Sequence, residues 1–160
     1  MSKEEQDKLE KLIREYLDKG ALMQVATCRD NQPWTCNVWY SYDDDFNFYF
    51  ISGNYRRHSE EIRDNEKVAV AIVQPIFTKL GQLGRGITFE GTAKELNILS
   101  SGKAFDNYLK KWPKATMYIS KKDIRNNLTK TRFYKITPKM IVLFDEVNYP
   151  DQSRREFHLK

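Results

Sequence analysis

Side chains suited to binding an anion are concentrated in one short segment, residues 46–62. The segment reads as an aromatic strand that runs through a loop into a helix, and at the junction stand Ser52, Arg56, Arg57, His58 and Ser59. A helix start presents unpaired backbone N–H groups and the positive end of the helix dipole. Guanidinium and hydroxyl groups add the charge-assisted hydrogen bonds that a phosphate accepts. The segment therefore predicts a phosphate-binding corner.

A surface loop with ion pairs is the alternative interpretation of this segment. Glu60, Glu61 and Asp64 follow closely along the chain and are candidate partners for the two arginines. His58 is expected to be a phosphate or capping partner at the helix start, not a proton donor. Because Arg56 and Arg57 are expected on a loop, replacing them should leave the fold and the stability of the ligand-free protein unchanged.

Other chemistry is sparse in this sequence. Cys28 and Cys36 flank a predicted turn and are expected to be reduced core residues, since disulfides are rare in cytosolic proteins. The two histidines and the lack of a Cys-x-x-Cys pattern predict no metal site. Acidic residues 43–45 read as a solvated turn. No covalent nucleophile or carboxylate pair is evident, so the catalytic residues remain unassigned.

Composition indicates a single globular domain, residues 1–160. Hydrophobic residues make up 40% of the chain and charged residues 31%, with a net charge of +5. No apolar run is long enough to span a bilayer and the amino-terminal residues do not resemble a signal peptide, so a cytoplasmic location is expected. Basic residues are interleaved with acids, so a small phosphate-bearing molecule explains the excess charge as well as nucleic acid does. A nucleic-acid-binding barrel is kept as a third hypothesis.

Hydrophobic periodicity gives the order of the elements. An amphipathic helix over residues 3–19 should cover an opening or a face of the sheet. Strands are predicted at 21–28, 34–42, 46–52, 67–73, 86–96, 131–137 and 140–146, helices at 55–65, 97–110 and about 120–127, and a polar tail at 148–160. Gly91 is a candidate bulge or point of close approach. The order predicts a mainly β protein, a small antiparallel barrel with peripheral helices; an open α+β sheet is the alternative.

Alternation divides the side chains of the second strand between two faces. One face is expected in the core, together with large residues of the third strand: Trp34, Cys36, Val38, Tyr40, Tyr42, Phe46, Phe48 and Phe50. The other face, with Thr35, Asn37, Trp39 and Ser41, should line a site or an interface. Trp39, Tyr49 and Ile51 are large apolar residues on that outer side, and such a patch favours a homodimer.

Several ordered segments resemble the pyridoxamine 5′-phosphate oxidase-like family of FMN-binding split barrels. The resemblance runs over roughly residues 8–147 and is carried by Asp30-Asn-Gln-Pro-Trp34, Phe48-Tyr-Phe-Ile-Ser52, Tyr55-Arg-Arg-His58, Asp64-Asn-Glu-Lys-Val-Ala-Val70 and Gly86-Ile-Thr-Phe-Glu-Gly-Thr-Ala93. It implies FMN bound at a homodimer interface. It also implies a phosphate held by Arg56 and Arg57, with Ser52 and Ser59 nearby.

The same resemblance implies further cofactor contacts. Phe50 and Ile51 match a strand end whose backbone lies along the cofactor, and Cys36, Asn37, Val38 and Ser41 match second-strand positions beside the flavin and phosphate. Well-characterised oxidases of the family carry Arg and Lys where this chain has Cys36 and Ser41. Arg154, Arg155 and His158 do not reproduce the family's carboxy-terminal Arg-x-His-x-Arg spacing.

The resulting functional hypothesis is an FMN-dependent oxidoreductase that acts on a small molecule other than pyridoxamine phosphate. A flavoprotein needs no nucleophile of its own, since the flavin performs the redox chemistry. The alternative is a split-barrel binding protein for haem or the deazaflavin F420, or a flavin binder without catalytic activity.

Overall fold

A computed structural model describes residues 2–73, 78–126 and 128–159, and most of them form one β-sheet with flanking helices. The elements are α1 (Lys3–Lys19), β1 (Leu22–Arg29), β2 (Gln32–Tyr42), β3 (Phe48–Gly53), α2 (Arg57–Asp64), β4 (Lys67–Val73), β5 (Arg85–Glu95), α3 (Ile98–Lys111), a 3₁₀ helix (Pro113–Met117), α4 (Lys121–Arg125), β6 (Thr131–Asp145) and β7 (Arg154–His158). Of the helices in these ranges, none has the length and apolar character needed to cross a bilayer.

The sheet closes on itself to form a barrel. Its strand order is β3-β2-β1-β4-β5-β6-β7, every neighbouring pair is antiparallel, and β3 also pairs with β6. The closing pair runs from Phe48 opposite Ile136 to Gly53 opposite Thr131. The predicted mainly β antiparallel barrel with peripheral helices is therefore confirmed, and the open α+β sheet is excluded.

One long strand replaces the two that were predicted near the carboxy terminus. β6 runs without interruption through Pro138, because the register shifts there: Glu90 pairs with Met140 and Gly91 with Pro138, which leaves Lys139 as an extra residue. A Cβ at position 91 would lie 2.6 Å from the Thr137 carbonyl oxygen, so glycine permits the close approach. The predicted irregularity at Gly91 is confirmed.

The barrel interior holds most of the predicted core. Val38, Tyr40, Phe46, Phe48 and Phe50 are buried together with the apolar stripe of α1, which was expected to cover the sheet. The Tyr40 hydroxyl donates a hydrogen bond to the Leu17 carbonyl, 2.7 Å away, and so joins β2 to the last turn of α1.

Trp34 was predicted to be a core residue, and this was wrong. It is 42% exposed, because the first half of β2 extends with β1 as a hairpin beyond the rest of the sheet. β3 pairs with β2 only from Tyr40 to Tyr42, so no strand covers Trp34 on that side. The alternation of side chains predicts on which side of β2 Trp34 lies, but it does not predict how far the neighbouring strands extend along β2.

A second, smaller cluster lies outside the barrel wall. Phe105 and Tyr108 of α3 pack against Phe133 of β6, and Tyr49 and Ile51 of β3 are half-buried against this group. The sequence placed Tyr49 and Ile51 on a face available to a second subunit. For Tyr49 that expectation was wrong, because it packs against the α3 cluster, whereas Ile51 is only partly covered and also lines the groove described below.

The carboxy-terminal residues are not the polar tail that was predicted. β7 pairs with β6, and Phe157 is buried and packs on Phe46 with ring centres 5.5 Å apart. One apolar side chain within a charged run is a weak signal in the sequence, but it is sufficient to seat a short edge strand.

Candidate functional site

A groove of about 470 Å³ lies between the outer side of β2, the end of β3 and the start of α2. It brings together most of the predicted cofactor-binding residues. Its lining consists of Trp34, Cys36, Asn37, Val38, Trp39, Ile51, Ser52, Arg56, Arg57, His58 and Tyr108. The cationic residues come from the β3–α2 junction, the aromatic ones from β2 and α3, and β2 also contributes Asn37 and Cys36.

The amino end of α2 forms the basic part of the groove. Arg56 is the N-cap residue, in an extended conformation, and no side chain caps the helix start within the described ranges. Its backbone N–H donates to the Gly53 carbonyl at 3.1 Å, which turns the chain from β3 into the helix. The exposed Arg56 guanidinium lies 5.1 Å from the centre of the Tyr55 ring. Free helix N–H groups beside an exposed guanidinium suit an anion.

Arg57 is held more firmly than Arg56. Its Nε donates to Glu61 Oε1 at 2.7 Å, and its guanidinium carbon lies 4.2 Å from the centre of the Trp34 ring. The ion-pair alternative inferred from the sequence is therefore partly realised. Because only Nε contacts Glu61, the other guanidinium edge is open to the groove, where the Arg57 side chain is 43% exposed.

Glu61 is buried beneath Arg57. The side chain is only 1% exposed, and it also accepts a hydrogen bond from the Thr27 hydroxyl at 2.5 Å. Burial by itself would raise the pKa of Glu61, but the hydrogen bonds from Thr27 and Arg57 outweigh it, so the pKa is lowered and the carboxylate stays charged.

His58 is buried at the back of the basic end. Its Nε2 lies 2.7 Å from the Ser52 hydroxyl, which joins the end of β3 to the first turn of α2. Burial and the nearby positive charge of Arg56 lower the pKa of His58, so the imidazole is neutral near pH 7. It therefore orients Ser52 and adds no charge to the groove.

Trp39 and Tyr108 form the aromatic part of the groove, and Trp112 packs against Trp39. Trp39 is 54% exposed and meets Trp112 edge to face, with ring centres 4.9 Å apart. Trp112 is fixed in turn by its indole N–H, which donates to the Tyr40 carbonyl at 2.7 Å. Val38 and Ile51 are the aliphatic residues of the groove lining. Such a surface suits a flat ring system.

Three predicted site residues have side chains outside the groove. Ser41 is buried under α3, where its hydroxyl donates to Asn107 Oδ1 at 2.7 Å. Ser59 is fully buried beneath α2, and Phe50 points into the barrel and stacks on Tyr134 with ring centres 4.9 Å apart. Phe50 therefore does not line the groove, and the Ser41 side chain contacts α3 instead.

Cys36 lines the groove as a free thiol, and Cys28 is also free. Burial raises the pKa of the Cys36 thiol to about 11. Since the thiolate is the reactive form, Cys36 is a poor nucleophile at neutral pH. The groove therefore offers binding groups without a nucleophile activated by its surroundings.

Trp34, Tyr108, Thr27 and Glu61 were not among the predicted site residues. Glu61 carried a usable signal, since it stands four residues after Arg57 on one helix face. No signal in the sequence pointed to Thr27 or Tyr108. Thr27 comes close to Glu61 only when the barrel closes, and Tyr108 reaches the groove only when α3 packs on the sheet.

Comparison with known proteins supports one family. The family model described as pyridoxamine 5′-phosphate oxidase matches residues 9–143. A UPF0306 protein from Klebsiella pneumoniae is 31% identical over 107 residues, which are 66% of this chain and 71% of that protein.

Two solved structures share the fold. A protein of unknown function from Agrobacterium tumefaciens superposes with a TM-score of 0.70 at 19% identity, over 92% of this chain and 60% of that one. The heme binding protein from Mycobacterium smegmatis gives a TM-score of 0.71 at 14% identity, over 91% of this chain and 55% of that one. This chain thus spans little more than half the length of either structure. Because the family model matches residues 9–143 and the chain folds as a closed barrel, the chain belongs to the pyridoxamine 5′-phosphate oxidase family.

Proposed function

We propose that this protein binds FMN in the groove and works as an oxidoreductase on a small molecule. The observation that carries the proposal is the division of the groove into a basic end and an aromatic end. Ser52, Arg56 and Arg57 lie at one end, and Trp39 and Tyr108 line the other. A phosphorylated ligand with a flat ring system matches both parts.

The residues fit the phosphate of FMN. The open edge of Arg57, the free guanidinium of Arg56 and the uncapped start of α2 all supply N–H donors. The Ser52 hydroxyl adds a further group, oriented by His58. A phosphate accepts several charge-assisted hydrogen bonds at once, which favours FMN over the dephosphorylated riboflavin.

The protein's own part in the chemistry is to bind, orient and exclude water. When bound, FMN would supply electron transfer to or from the substrate. Val38 and Ile51 provide apolar contact, and the partly buried Cys36 thiol, whose pKa is raised, does not compete as a nucleophile. Asn37 also lines the groove; its Oδ1 accepts from Gln24, and its amide N–H groups are left to contact a polar edge of the ring.

We also propose that the functional unit is a homodimer. The outer face of the sheet carries mostly small and apolar side chains around the exposed Glu90: Ala26, Ala69, Ala71, Thr88, Met140 and Val142. It is continuous with the groove, because Gln24 pairs with Ala71 on one side and its side chain donates to Asn37 at 3.1 Å on the other. A second copy seated on this face would also cover the open side of the groove.

Haem is the less favoured ligand. The heme binding protein from Mycobacterium smegmatis shares only the fold at this level of identity. His58 is the imidazole that lines the groove, and its Nε2 is engaged by Ser52, so binding an iron through that nitrogen would break a buried hydrogen bond.

The absorption spectrum of the purified protein tests the proposal. We expect flavin bands, either as isolated or after addition of FMN, and release of FMN on denaturation. A haem spectrum, or no uptake of FMN by the folded protein, would refute the proposed cofactor.

A further inference from the structure

We propose that Glu61 and Thr27 are positioning residues that hold the Arg57 guanidinium ready for the cofactor phosphate. The inference rests on the proposed FMN site and adds to it a specific cause for phosphate selectivity. Neither residue lines the groove itself: Thr27 is a buried residue of β1, and Glu61 is a buried residue of α2.

The argument begins with the chain of contacts beneath the groove. Thr27 donates to one carboxylate oxygen of Glu61, and the other oxygen accepts from Arg57 Nε at 2.7 Å. The two oxygens of Glu61 are thus assigned to different partners on different elements. The barrel wall fixes the carboxylate, and the carboxylate fixes the arginine.

Trp34 restrains the guanidinium from a second direction. The guanidinium carbon is 4.2 Å from the ring centre, within the range of a cation–π contact. A planar group held by Nε at its inner edge and by an indole against its face has little rotational freedom left. The outer nitrogens, which form the fork that suits phosphate, then point away from Glu61.

Arg56 provides the internal comparison. It has no ion pair or hydrogen bond from its guanidinium within residues 2–73, 78–126 and 128–159, and it approaches only the ring of Tyr55. A free arginine loses side-chain entropy when it binds phosphate, whereas Arg57 has already lost most of it on folding. We therefore expect Arg57 to contribute more selectivity per hydrogen bond than Arg56.

The negative charge of Glu61 has an opposing effect, since a carboxylate close to the site repels phosphate. Positioning and charge are separated by Thr27→Val, because valine has nearly the shape of threonine, and the positive charges of Arg57 and Arg29 still lower the pKa of Glu61 and favour its charged form. A pure charge effect predicts no change in this variant. Positioning predicts a loss of preference for FMN over riboflavin.

The decisive experiment measures FMN and riboflavin affinities for the wild type, Thr27→Val, Arg57→Ala and the double variant. We expect Thr27→Val to lower the ratio of FMN to riboflavin affinity by about fivefold, the equivalent of about 1 kcal/mol of hydrogen-bond free energy. In the Arg57→Ala background the same change should leave the ratio unaltered. Thr137→Val is the matched control, since it removes a hydroxyl that donates to Asn47 outside the groove.

A merely structural role for Thr27 would weaken FMN and riboflavin equally and leave their ratio unchanged, which would overturn the proposal. An NMR measurement on the ligand-free protein keeps the test independent of flavin. The Arg57 Nε–Hε signal should be dispersed and slow to exchange with solvent in the wild type, and faster to exchange in Thr27→Val. If neither flavin binds, the proposed function fails, but the NMR signal still tests whether Arg57 is held in position. An averaged, rapidly exchanging Arg57 signal in the wild type would refute the positioning proposal.

Discussion

The Ser52 hydroxyl lies 2.7 Å from His58 Nε2, and this contact joins the last residues of β3 to the first turn of α2. The basic end of the groove is built on that junction, with Arg56 and Arg57 immediately before His58. Ser52 can donate to His58 only when Nε2 carries no proton, which is impossible in the imidazolium form. The protonation state of His58 therefore bears on both folding and binding.

Folding stability should fall as the pH drops below about 6.5. Burial and Arg56 lower the pKa of His58 from 6.5, so the unfolded chain binds this proton more readily than the folded one. The stabilisation is fully present above the unfolded pKa and is lost as the pH falls through the window between it and the lower folded pKa. Denaturant titrations across this range should show the decline in the wild type.

His58→Gln should remove this pH dependence, while His158→Gln should retain it, because His158 lies exposed on β7. Carboxyl groups ordinarily titrate at about pH 4, so they affect the pH dependence of folding stability mainly at lower pH than His58 does. An unchanged slope in His58→Gln would mean that another group is responsible.

Arg57→Ala should weaken FMN by about 2–5 kcal/mol, the usual cost of removing one partner of a buried charged pair. Riboflavin affinity should change much less, because it lacks the phosphate. Isothermal titration with the two flavins measures the difference. Arg154→Ala, on the exposed edge strand β7, is the control and should change neither affinity.

The two arginines should differ in the ligand-free protein. Arg57→Ala leaves the buried Glu61 carboxylate without its cation, so the free energy of unfolding should fall by about 1–3 kcal/mol. Arg56→Ala should leave it unchanged, since that side chain is exposed. Equal melting temperatures for the two variants would contradict the geometry described for Arg57.

This difference corrects an expectation drawn from the sequence. Both arginines were expected on a loop, where replacement would not affect the fold. The structure places Arg57 in the first turn of α2, four residues before Glu61. Sequence spacing gave the candidate partner, but only the packing of α2 on β1 decides that the partner is buried.

The fold itself was largely predictable, because alternation in β1 to β5 and the stripe of α1 are strong local signals. The failures were non-local. Trp34 is exposed because neighbouring strands stop short of it, and Tyr49 is covered because α3 folds back over β3. The family resemblance placed Ser41 in the site, but the Ser41 hydroxyl donates a hydrogen bond to Asn107 of α3 instead. No property of a single strand reports where a distant helix will pack.

Pyridoxamine 5′-phosphate should be a poor substrate or none. Cys36 stands in the groove where well-characterised oxidases of the family carry a cation, and Arg154 and Arg155 lie on β7, which contributes nothing to the groove lining. Substrate phosphate therefore has few partners once the cofactor holds Arg56 and Arg57. Oxygen consumption with this amine should stay near background in the FMN-loaded protein. Turnover like that of a dedicated oxidase would show that neither the cysteine at position 36 nor the distance of Arg154 and Arg155 from the groove prevents the reaction.

Ala71→Arg should dissociate the proposed homodimer. The side chain lies on the outer face of the sheet beside Ala69 and Thr88, where the bulk of a long side chain would hold two closely packed copies apart. Sedimentation should give a dimer for the wild type and a 19.0 kDa monomer for the variant, with weaker FMN binding in the monomer. Glu15→Arg on the exposed side of α1 is the control and should remain dimeric. A wild-type monomer that still holds FMN tightly would refute both the interface and the shared site.

The most direct test of the account is a titration of the ligand-free protein with FMN and with riboflavin under the same conditions. The basic end of the groove predicts that FMN binds more tightly by about thirtyfold or more, which corresponds to about 2 kcal/mol from the phosphate alone. Equal affinities for the two flavins would contradict the assignment of Ser52, Arg56 and Arg57 as the phosphate site.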